Sequence, residues 1–409
     1  MPRLLLVTTN YWPEPTGIAI YTTDLAESLQ KNDFDVSVLT SLPHYPWWKA
    51  QPEISHIVEG ESQRKSVHII RVNHLIPPKM NAYIRIRFEL SLWRNLKKAS
   101  KKLVAKDYDA ILACIPTVAA GLVGKQMTRR LEIPFGLIAQ DLSGVGARQS
   151  GLRGGTLISK VANAIEGTVL KAADSIVVVS PAMRDVITRL GVSSAKILEI
   201  SNYSARKIEV VNRDVARNSF GWHGDDFVCV HTGNMGAKQG LENVIEASKA
   251  LSNDSKLKIY LVGHGNQEAN LRKLCHGLEN IVIMAAVKDD QYSALLSAAD
   301  LLLVNERRTQ VEMSLPSKLT SYLYSGRPVL AAVPRGGATW KFLDGIAELV
   351  EAEKPLILAN AIRELSKNPE KRKELASKGL KFARENLDAE IGREKYLDWV
   401  NSLIQSKRG

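Results

Sequence analysis

The sequence predicts an α/β protein made of two successive domains, each built around a parallel sheet. Short apolar runs of strand length alternate with helical patterns in both halves of the chain, as parallel sheets require. A length of 409 residues exceeds what one small core organises and favours two domains. A polar, weakly periodic stretch, Tyr203–Trp222, lies between the two series and predicts an interdomain linker.

Seven strands are predicted in the first half. They are Leu4–Thr8, Asp35–Thr40, Val67–Val72, Ala110–Ala113, Phe135–Ala139, Ile176–Val179 and Ile197–Ile200. Apolar residues at helical spacing predict helices at Tyr21–Lys31 and from Leu122 to Arg130, and Ser180-Pro181 opens a third.

Five strands are predicted in the second half. They are Phe227–Thr232, Lys258–Val262, Ile281–Met284, Leu301–Val304 and Val329–Val333. The tail from Pro369 to Ile404 is charged and helical, with Trp399 and Leu403 as apolar anchors. Two Rossmann-like halves bind ligands beyond the carboxyl ends of their strands, which predicts a site in a cleft between the domains.

The composition narrows the class of protein. A hydrophobic content of 45% with 24% charged residues is typical of a soluble globular chain, and no apolar run is long enough to span a bilayer. The net charge of +12 favours an acidic partner, either nucleic acid, an anionic membrane surface or a phosphorylated ligand. The sequence has no zinc-finger, RNP-type or helix-turn-helix pattern, which argues against nucleic acid. Three widely spaced cysteines predict neither disulfides nor a zinc site, so a reducing cytoplasm is expected.

The stretch LPSKLTSYLYSGRPVL, residues 315–330, is the first candidate site. Pro316 suits the first turn of a helix, and Ser317 and Lys318 follow where backbone N–H groups face solvent. A hydroxyl and an ammonium group at a helix start favour phosphate binding. An ordinary helix–turn–strand corner, with Gly326 as the helix cap, explains the stretch equally well.

The second candidate is HTGNMGAKQG, residues 231–240, between a strand and a helix. Gly233, Asn234, Gly236 and Lys238 give a glycine-rich loop with a cation, which predicts a diphosphate site. A merely flexible loop is the alternative, but it would not need the lysine. The neighbouring His231 shows no metal-ligand spacing and is expected to be a structural or hydrogen-bonding residue.

Three further loops follow predicted strands. Gly17 would allow close approach of a substrate, although its loop also reads as a proline-shaped connection. Gly263 would let the backbone approach a nucleotide, or it is simply a tight strand exit. Asp141 could hold a sugar hydroxyl or assist proton movement, or it caps a helix.

Asn81–Lys106 predicts a basic amphipathic helix. Ile86, Leu90, Trp93 and Leu103 share one stripe and lysines and arginines crowd the remainder, which suits docking on an anionic membrane surface. A surface helix packed on its own domain is the alternative.

Four stretches of the sequence together resemble glycosyltransferase family 4. They are NYWPEPTGIAIYTTDLAESL, VLTSLPHYPWW, GNMGAKQGLENV and LPSKLTSYLYSGRPVL. The likeness is greatest to the members that assemble bacterial exopolysaccharides and O-antigens. It implies a GT-B fold, in which 1–203 binds the acceptor, 204–385 binds the nucleotide-sugar and a helix in 386–409 crosses back to the first domain. It also implies a retaining transferase without a bound metal or other cofactor.

The resemblance assigns roles to residues. It places Lys238 on the donor diphosphate, Ser317 and Lys318 at the phosphate-facing helix start, and Asp141 at the cleft. The expected donor site also holds Gly233, Asn234, Gly236, Gly263 and Leu315, and the expected acceptor site holds Thr16, Gly17 and Tyr21, with Gly17 near the donor phosphates as well.

The chain departs from the family at three positions. Met313 and Ser321 stand where many members carry two glutamates, and Asn234 stands where an arginine often pairs with the lysine. Glu306 or Glu312 could replace the missing carboxylates. The missing glutamates keep a non-catalytic binding subunit open as an alternative. A nucleotide-sugar epimerase is a second alternative, because such enzymes share the same two-domain architecture.

Overall fold

A computed structural model describes residues 1–15, 17–45, 48, 54–77, 82–104, 107–142, 155–203, 208–308 and 315–406. The chain divides into two compact units. The first comprises Met1–Ala205 together with Ala389–Gly409, and the second comprises Arg206–Asp388. Both are α/β units with mainly parallel sheets, which confirms the predicted fold class.

The first unit has an eight-stranded sheet in the order β3-β4-β2-β1-β5-β6-β7-β8, in which only the β3–β4 pairing is antiparallel. Its strands are β1 (Arg3–Val7), β2 (Asp35–Ser41), β3 (Gly60–Arg64), β4 (Val67–Val72), β5 (Ala110–Ile115), β6 (Phe135–Ala139), β7 (Ser175–Val178) and β8 (Ile197–Glu199). Its helices are α1 (Ile18–Lys31), α2 (Ala82–Ser100), α3 (Val118–Leu131), α4 (Gly155–Ala172), α5 (Pro181–Arg189) and the last helix of the chain, α14 (Ala389–Gln405).

The second unit has six parallel strands in the order β11-β10-β9-β12-β13-β14. They are β9 (Phe227–Thr232), β10 (Leu257–Val262), β11 (Ile281–Met284), β12 (Leu301–Asn305), β13 (Val329–Val333) and β14 (Glu348–Glu351). The helices are α6 (Arg213–Phe220), α7 (Glu242–Lys249), α8 (Glu268–Leu274), α9 (Asp289–Ala298), α10 (Lys318–Tyr324), α11 (Ala338–Leu343), α12 (Pro355–Lys367) and α13 (Pro369–Asn386). This is the doubly wound order, in which the direction of winding reverses between β9 and β12.

The C-terminal helix α14 packs on the sheet of the first unit. A Cβ on Gly136 in β6 would lie 2.8 Å from both Leu403 and Trp399, so only glycine leaves room for these side chains. The Trp399 Nε1–H donates to Ser175 Oγ at 2.8 Å, which satisfies the one polar group of a buried indole. The predicted anchors of the tail therefore lie in the core of the first unit.

Several sequence predictions need correction. The predicted linker Tyr203–Trp222 contains helix α6, whose Arg217 is fully buried, so the part from residue 208 onward belongs to the second unit. The tail is helical as predicted, and it consists of two helices, because α13 ends at Asn386 and α14 begins at Ala389. The polar strand β3 was not predicted, since its residues are largely exposed and lack an apolar alternation. No helix within the described ranges has the length and apolar character needed to cross a bilayer.

Candidate functional site

The carboxyl edge of the second sheet brings together the loops that follow β9, β10 and β12. In doubly wound sheets, ligands bind beyond this edge at the point where the strand order reverses. Here that point lies between β9 and β12, and the glycine-rich loop 233–241 follows β9 directly. The site is therefore built from the ends of these strands.

Two glycines allow the loops after β9 and β10 to pack against each other. The Gly233 N–H donates to Val262 O at 2.8 Å, and the Met235 N–H donates to His264 O at 2.7 Å. A Cβ on Gly263 would lie only 1.9 Å from Gly233 O, and Gly233 itself has a φ of 109°. Glycine at 263 is thus required by contact between two loops, which is the tight strand exit that the sequence left open.

A buried asparagine at the end of β12 holds the remainder of the glycine-rich loop. The Asn305 side-chain amide donates to Gln239 O at 2.6 Å and to Gly240 O at 2.9 Å, and its oxygen accepts from Asn243 Nδ2 at 2.8 Å. Lys238 lies in the short 3-10 turn of this loop with an exposed side chain. Asn305 of β12 therefore fixes the loop that follows β9, and the side chain of Lys238 in this loop is exposed.

Lys318 reaches the same place from the start of α10. Its Nζ lies 3.0 Å from His231 Nε2, at the end of β9. The same ammonium group is 3.7 Å from the position that a Cβ on Gly233 would occupy. The structure thus brings the lysine of the LPSK stretch onto the first residue of the glycine-rich loop, and sequence spacing alone does not show this.

His231 is a fully buried residue, which the sequence predicted to be structural or hydrogen-bonding. Its exposed fraction is 0%, and its Nδ1 lies 3.0 Å from Leu303 O on β12. Burial first, and then the positive charge of Lys318, hold the pKa of His231 well below its usual range. The imidazole is therefore neutral, with Nδ1–H donating to the carbonyl and Nε2 accepting from the ammonium group.

Tyr322 fixes α10 to the end of β9. Its hydroxyl accepts from the Thr232 N–H at 2.7 Å and lies 3.1 Å from Thr232 Oγ1. Burial raises the pKa of this phenol, so it stays protonated. The sequence alone gives no sign of these hydrogen bonds.

The remaining donor-site predictions fall at different places. Ser317 is exposed and precedes α10 without a side-chain cap hydrogen bond. Leu315 is half-buried against the apolar core. Asn234 is exposed, and a Cβ on Gly236 would lie 2.9 Å from its amide nitrogen. The contacts of these residues with the donor stay predictions.

The structure describes one of the two family glutamate positions and one of the two glutamates proposed as replacements. Ser321, at one family glutamate position, is buried within α10. Glu306 is buried at the end of β12, where its Oε1 accepts from Thr339 Oγ1 at 2.7 Å. Met313 and Glu312 lie outside the described residues.

In the first unit, a buried glutamate organises the loop after β1. The Glu14 side chain is in a residue with 4% exposure, and its Oε2 accepts from Asn10 Nδ2 at 2.7 Å. Its Oε1 accepts from the N–H groups of His44 and Tyr45, at 2.7 and 2.9 Å. Burial raises the pKa of Glu14 to about 7 against the lowering effect of these donors. The sequence analysis missed this residue, although a glutamate between two prolines was visible.

Three predicted residues lie near the same edge of the first sheet. Gly17 caps α1 with a φ of 66°, and a Cβ there would meet the Tyr45 ring at 3.2 Å, so glycine is required by backbone conformation and packing. Tyr21 is half-buried and meets Tyr203 edge-on, at 6.3 Å between ring centroids. Asp141 follows β6, and its Oδ1 accepts from the Leu142 N–H at 2.8 Å. Thr16 and the residues after Leu142 up to 154 lie outside the described residues.

The buried His44 packs beside Glu14, and a second buried histidine, His74, packs against His44. The rings of His44 and His74 are 4.7 Å apart, and His44 Nδ1 lies 3.4 Å from Glu14 Oε1. Burial lowers the pKa of His44 to about 4 and that of His74 to about 3. Neither ring nitrogen of His74 has a hydrogen-bond partner among the described residues.

Within the described ranges, no group of three or more histidine, cysteine, aspartate or glutamate side chains is arranged to hold a metal ion. Whether the reaction needs a metal remains a prediction from the resemblance.

Fold and sequence comparisons together define the class of protein. The profile of the glycosyl transferase 4-like domain matches residues 16–203, and that of glycosyl transferases group 1 matches residues 212–382. The two profiles follow each other in the order of the two α/β units. The protein is a glycosyltransferase with the GT-B fold. More particularly, the chain carries a glycosyl transferase 4-like domain followed by a glycosyl transferases group 1 domain, which confirms the resemblance seen in the motifs.

Individual relatives agree with this assignment. The chain is 29% identical over 377 residues to an Escherichia coli K12 protein named as the colanic acid biosynthesis glycosyl transferase WcaI, covering 88% of this chain and 91% of the relative. Among solved structures, sucrose-phosphate synthase from Thermosynechococcus elongatus has a TM-score of 0.79 at 16% identity, covering all of both chains. Anabaena HepE, solved with UDP-glucose, has a TM-score of 0.70 at 16% identity, covering 98% of this chain and all of the other.

Proposed function

We propose that this protein is a retaining glycosyltransferase that moves a sugar from a nucleotide-sugar to a lipid-linked saccharide acceptor during synthesis of a cell-surface polysaccharide. The similarity to WcaI, named for colanic acid biosynthesis, supports the pathway class. The similarity to HepE, solved with UDP-glucose, supports the donor class. The observation that carries the proposal is the Lys318 ammonium group lying on Gly233 at the switch point of the second sheet.

Charge explains how these residues serve the reaction. When the sugar leaves the donor, negative charge develops on the departing nucleoside diphosphate. Lys318 and Lys238 are cations on the two segments at this edge of the sheet, and preorganised cations stabilise such charge more in the transition state than in the ground state. Because two lysines supply this charge, we expect no metal ion to be required.

The acceptor chemistry is proposed for the first unit. The acceptor hydroxyl attacks from the face that the diphosphate leaves, and the departing phosphate oxygen takes its proton, which retains the anomeric configuration without a strong protein base. The loop at Thr16 and Gly17, together with Tyr21, is proposed to bind the acceptor. Asp141, at the carboxyl end of β6, is proposed to hold a sugar hydroxyl.

The donor half is tested by binding and then by product analysis. Isothermal titration of the purified protein with UDP, GDP and ADP should reveal one preferred base, and Lys318→Ala and Lys238→Ala should each weaken binding. Lys256→Ala, an exposed lysine on the same unit, serves as the control. If no nucleoside diphosphate binds a well-folded sample, the donor proposal is wrong.

Product analysis separates the proposed activity from its alternatives. Conversion of a nucleotide-sugar without any acceptor would indicate an epimerase, whereas transfer that requires an acceptor supports the proposal. NMR of the product's anomeric proton shows retention or inversion. Full activity in the presence of EDTA is the result expected of a metal-independent enzyme.

Helix α2 is the proposed contact with an anionic membrane surface. Its buried face is formed by Phe88, Leu92 and Leu96, at helical spacing. The opposite face exposes Tyr83, Ile86 and Leu90, together with Arg87, in its first half, and the basic Arg94 and Lys98 in its second. Exposed apolar side chains followed by cations match an acyl–headgroup boundary, in which the former insert and the latter bind phosphate. Two members of the predicted apolar stripe, Ile86 and Leu90, are therefore at the surface of the helix.

Liposome flotation tests this surface. Changing Lys98, Lys101 and Lys102 to glutamate should abolish binding to vesicles containing phosphatidylglycerol. The control changes Lys256, Lys273 and Lys373 to glutamate and alters the net charge by the same amount on the second unit. Equal loss in both variants would mean that net charge alone drives binding, and no loss in either would exclude the α2 surface.

A further inference from the structure

The His231 side chain joins the two strands at the switch point of the second sheet and also contacts Lys318. His231 lies at the end of β9 and receives the Lys318 ammonium group on one ring nitrogen, at 3.0 Å. Its other ring nitrogen lies 3.0 Å from Leu303 O on β12, the strand beside β9. The imidazole is fully buried, whereas Lys318 is only partly so.

We propose that His231 is a positioning residue that holds the Lys318 ammonium group over Gly233, ready for the diphosphate of the donor. The inference deepens the proposed function and rests on it. His231 acts through Lys318, because the buried ring has no surface of its own for a ligand.

The two partners of the imidazole determine a single arrangement. A backbone carbonyl only accepts, so Nδ1 must carry the proton that reaches Leu303 O. An ammonium group only donates, so Nε2 must be the lone-pair acceptor for Lys318. Both requirements are met by one neutral tautomer, and the strand β12 thereby sets the direction in which the lysine is held.

A neutral acceptor suits this task better than a carboxylate. A glutamate or aspartate at 231 would also hold the lysine, but it would cancel the charge that the diphosphate needs. The neutral ring holds the ammonium group of Lys318 without itself offsetting its positive charge. It also restrains a long side chain before the ligand arrives, which reduces the conformational entropy lost on binding.

The test separates the two hydrogen bonds of the ring. His231→Asn places an amide where Nδ1 was, so it keeps the bond to Leu303 O and removes the acceptor for Lys318. His231→Gln places its amide near Nε2 and keeps an acceptor for Lys318. The probe is inorganic pyrophosphate, which reports the phosphate site independently of the base, with UDP, GDP and ADP titrated alongside.

We expect Lys318→Ala to weaken pyrophosphate binding about 10- to 100-fold, as for loss of a charge-assisted contact. His231→Asn should weaken it about 3- to 10-fold and His231→Gln less than about 2-fold, because only the former loses the acceptor. In a Lys318→Ala background, His231→Asn should change affinity by less than about 2-fold. Ser248→Ala, a buried change in the same unit, is the control for general destabilisation.

Each outcome has one meaning. If Lys318→Ala weakens binding but His231→Asn does not, the positioning role is wrong and the donor site stands. Additive losses of affinity in the double variant would mean that His231 acts on the fold and not through Lys318. This result would also overturn the inference. If the wild-type protein binds neither pyrophosphate nor any nucleoside diphosphate, the proposed function itself has failed.

One further measurement uses the wild-type protein and needs no variant. In the wild-type protein labelled with 15N-histidine, the His231 signal should show protonated Nδ1 and unprotonated Nε2, and pyrophosphate should shift the Nε2 resonance. A proton on Nε2 would overturn the inference.

Discussion

Arg393 on the last helix donates two hydrogen bonds to the carboxylate of Asp24 on the first helix, with Nη2 at 2.6 Å and Nε at 3.0 Å. The Tyr203 hydroxyl donates to the same carboxylate at 2.7 Å. Asp24 is thus the point at which three distant segments of the first unit meet.

Arg393→Met is expected to lower the free energy of unfolding by about 1–3 kcal/mol, because a charge-assisted, bidentate contact is lost in a partly buried place. Urea unfolding measures the change. Arg384→Met, on the exposed face of α13, is the matched control and should alter stability by less than about 0.5 kcal/mol. Similar effects of the two changes would mean that the Asp24 contact does not stabilise the fold.

Gly263→Ala is expected to disrupt the paired loops of the donor site. The new methyl carbon would overlap Gly233 O at 1.9 Å, a backbone atom that cannot move without displacing the loop. Nucleoside diphosphate affinity should fall by about 10-fold or more, corresponding to at least about 1.4 kcal/mol. Gly224→Ala, where a methyl group meets open space, should bind normally. Wild-type affinity in Gly263→Ala would show that the loop contact does not shape the site.

Arg217→Met is expected to destabilise the second unit by about 3–5 kcal/mol, because the buried guanidinium donates to Ala298 O and Asp226 O and pairs with Asp300. Arg213→Met removes a more exposed arginine from the same Asp300 and should lose about 1 kcal/mol or less. Thermal and urea unfolding of the two variants give the comparison. Equal losses of stability in the two variants would mean that the burial of Arg217 does not increase its contribution to the stability of the second unit.

Acidification is expected to destabilise the protein. The pKa of His44 and His74 is lowered to about 4 and about 3, and that of His231 lies well below its usual range, so below about pH 6.5 the unfolded chain binds protons that the folded chain does not. The pKa of Glu14 is raised to about 7, which acts oppositely, and its stabilising effect is lost as pH rises from about 4.5 to 7. Burial also raises the pKa of Glu89, which acts in the same sense as Glu14. Three histidines outweigh two glutamates, so stability should fall from pH 6.5 towards pH 4.5, by up to about 1.4 kcal/mol per pH unit for each net proton.

His74→Phe tests this balance, because it removes one buried histidine whose nitrogens have no partner in the described structure. The loss of stability between about pH 7 and about pH 5 should become smaller. His56→Phe, at an exposed position, should leave the slope unchanged. An unaltered slope in His74→Phe would exclude this residue as a cause.

The strands were predictable from the sequence because burial on both faces leaves a continuous apolar signature. The runs at Phe135–Ala139 and Val329–Val333 match the observed β6 and β13 residue for residue. Helix α6 was not predicted, because its buried residues are Ala216 and Arg217, which form no apolar stripe. Strand β3 lacks any buried face and gives no periodic signal.

The candidate site was predictable in its segments but not in its contacts. Glycines and Lys238 after one strand, and Lys318 before a helix, indicated two phosphate-binding segments. That Lys318 meets His231, 87 residues earlier, depends on the order of strands in the sheet, which a linear pattern does not contain. The role of Glu14 was hidden for the same reason, since its partners His44 and Tyr45 lie some thirty residues onward.

The return of α14 to the first unit has a consequence for how the protein is made. On the ribosome, residues 1–205 emerge long before Trp399 and Leu403 exist, so one wall of their core is absent throughout synthesis of the second unit. The second unit is continuous in sequence and is completed first. A nascent or truncated first unit therefore exposes the apolar surface around Gly136, and an isolated version for laboratory use needs residues 389–409 joined to it.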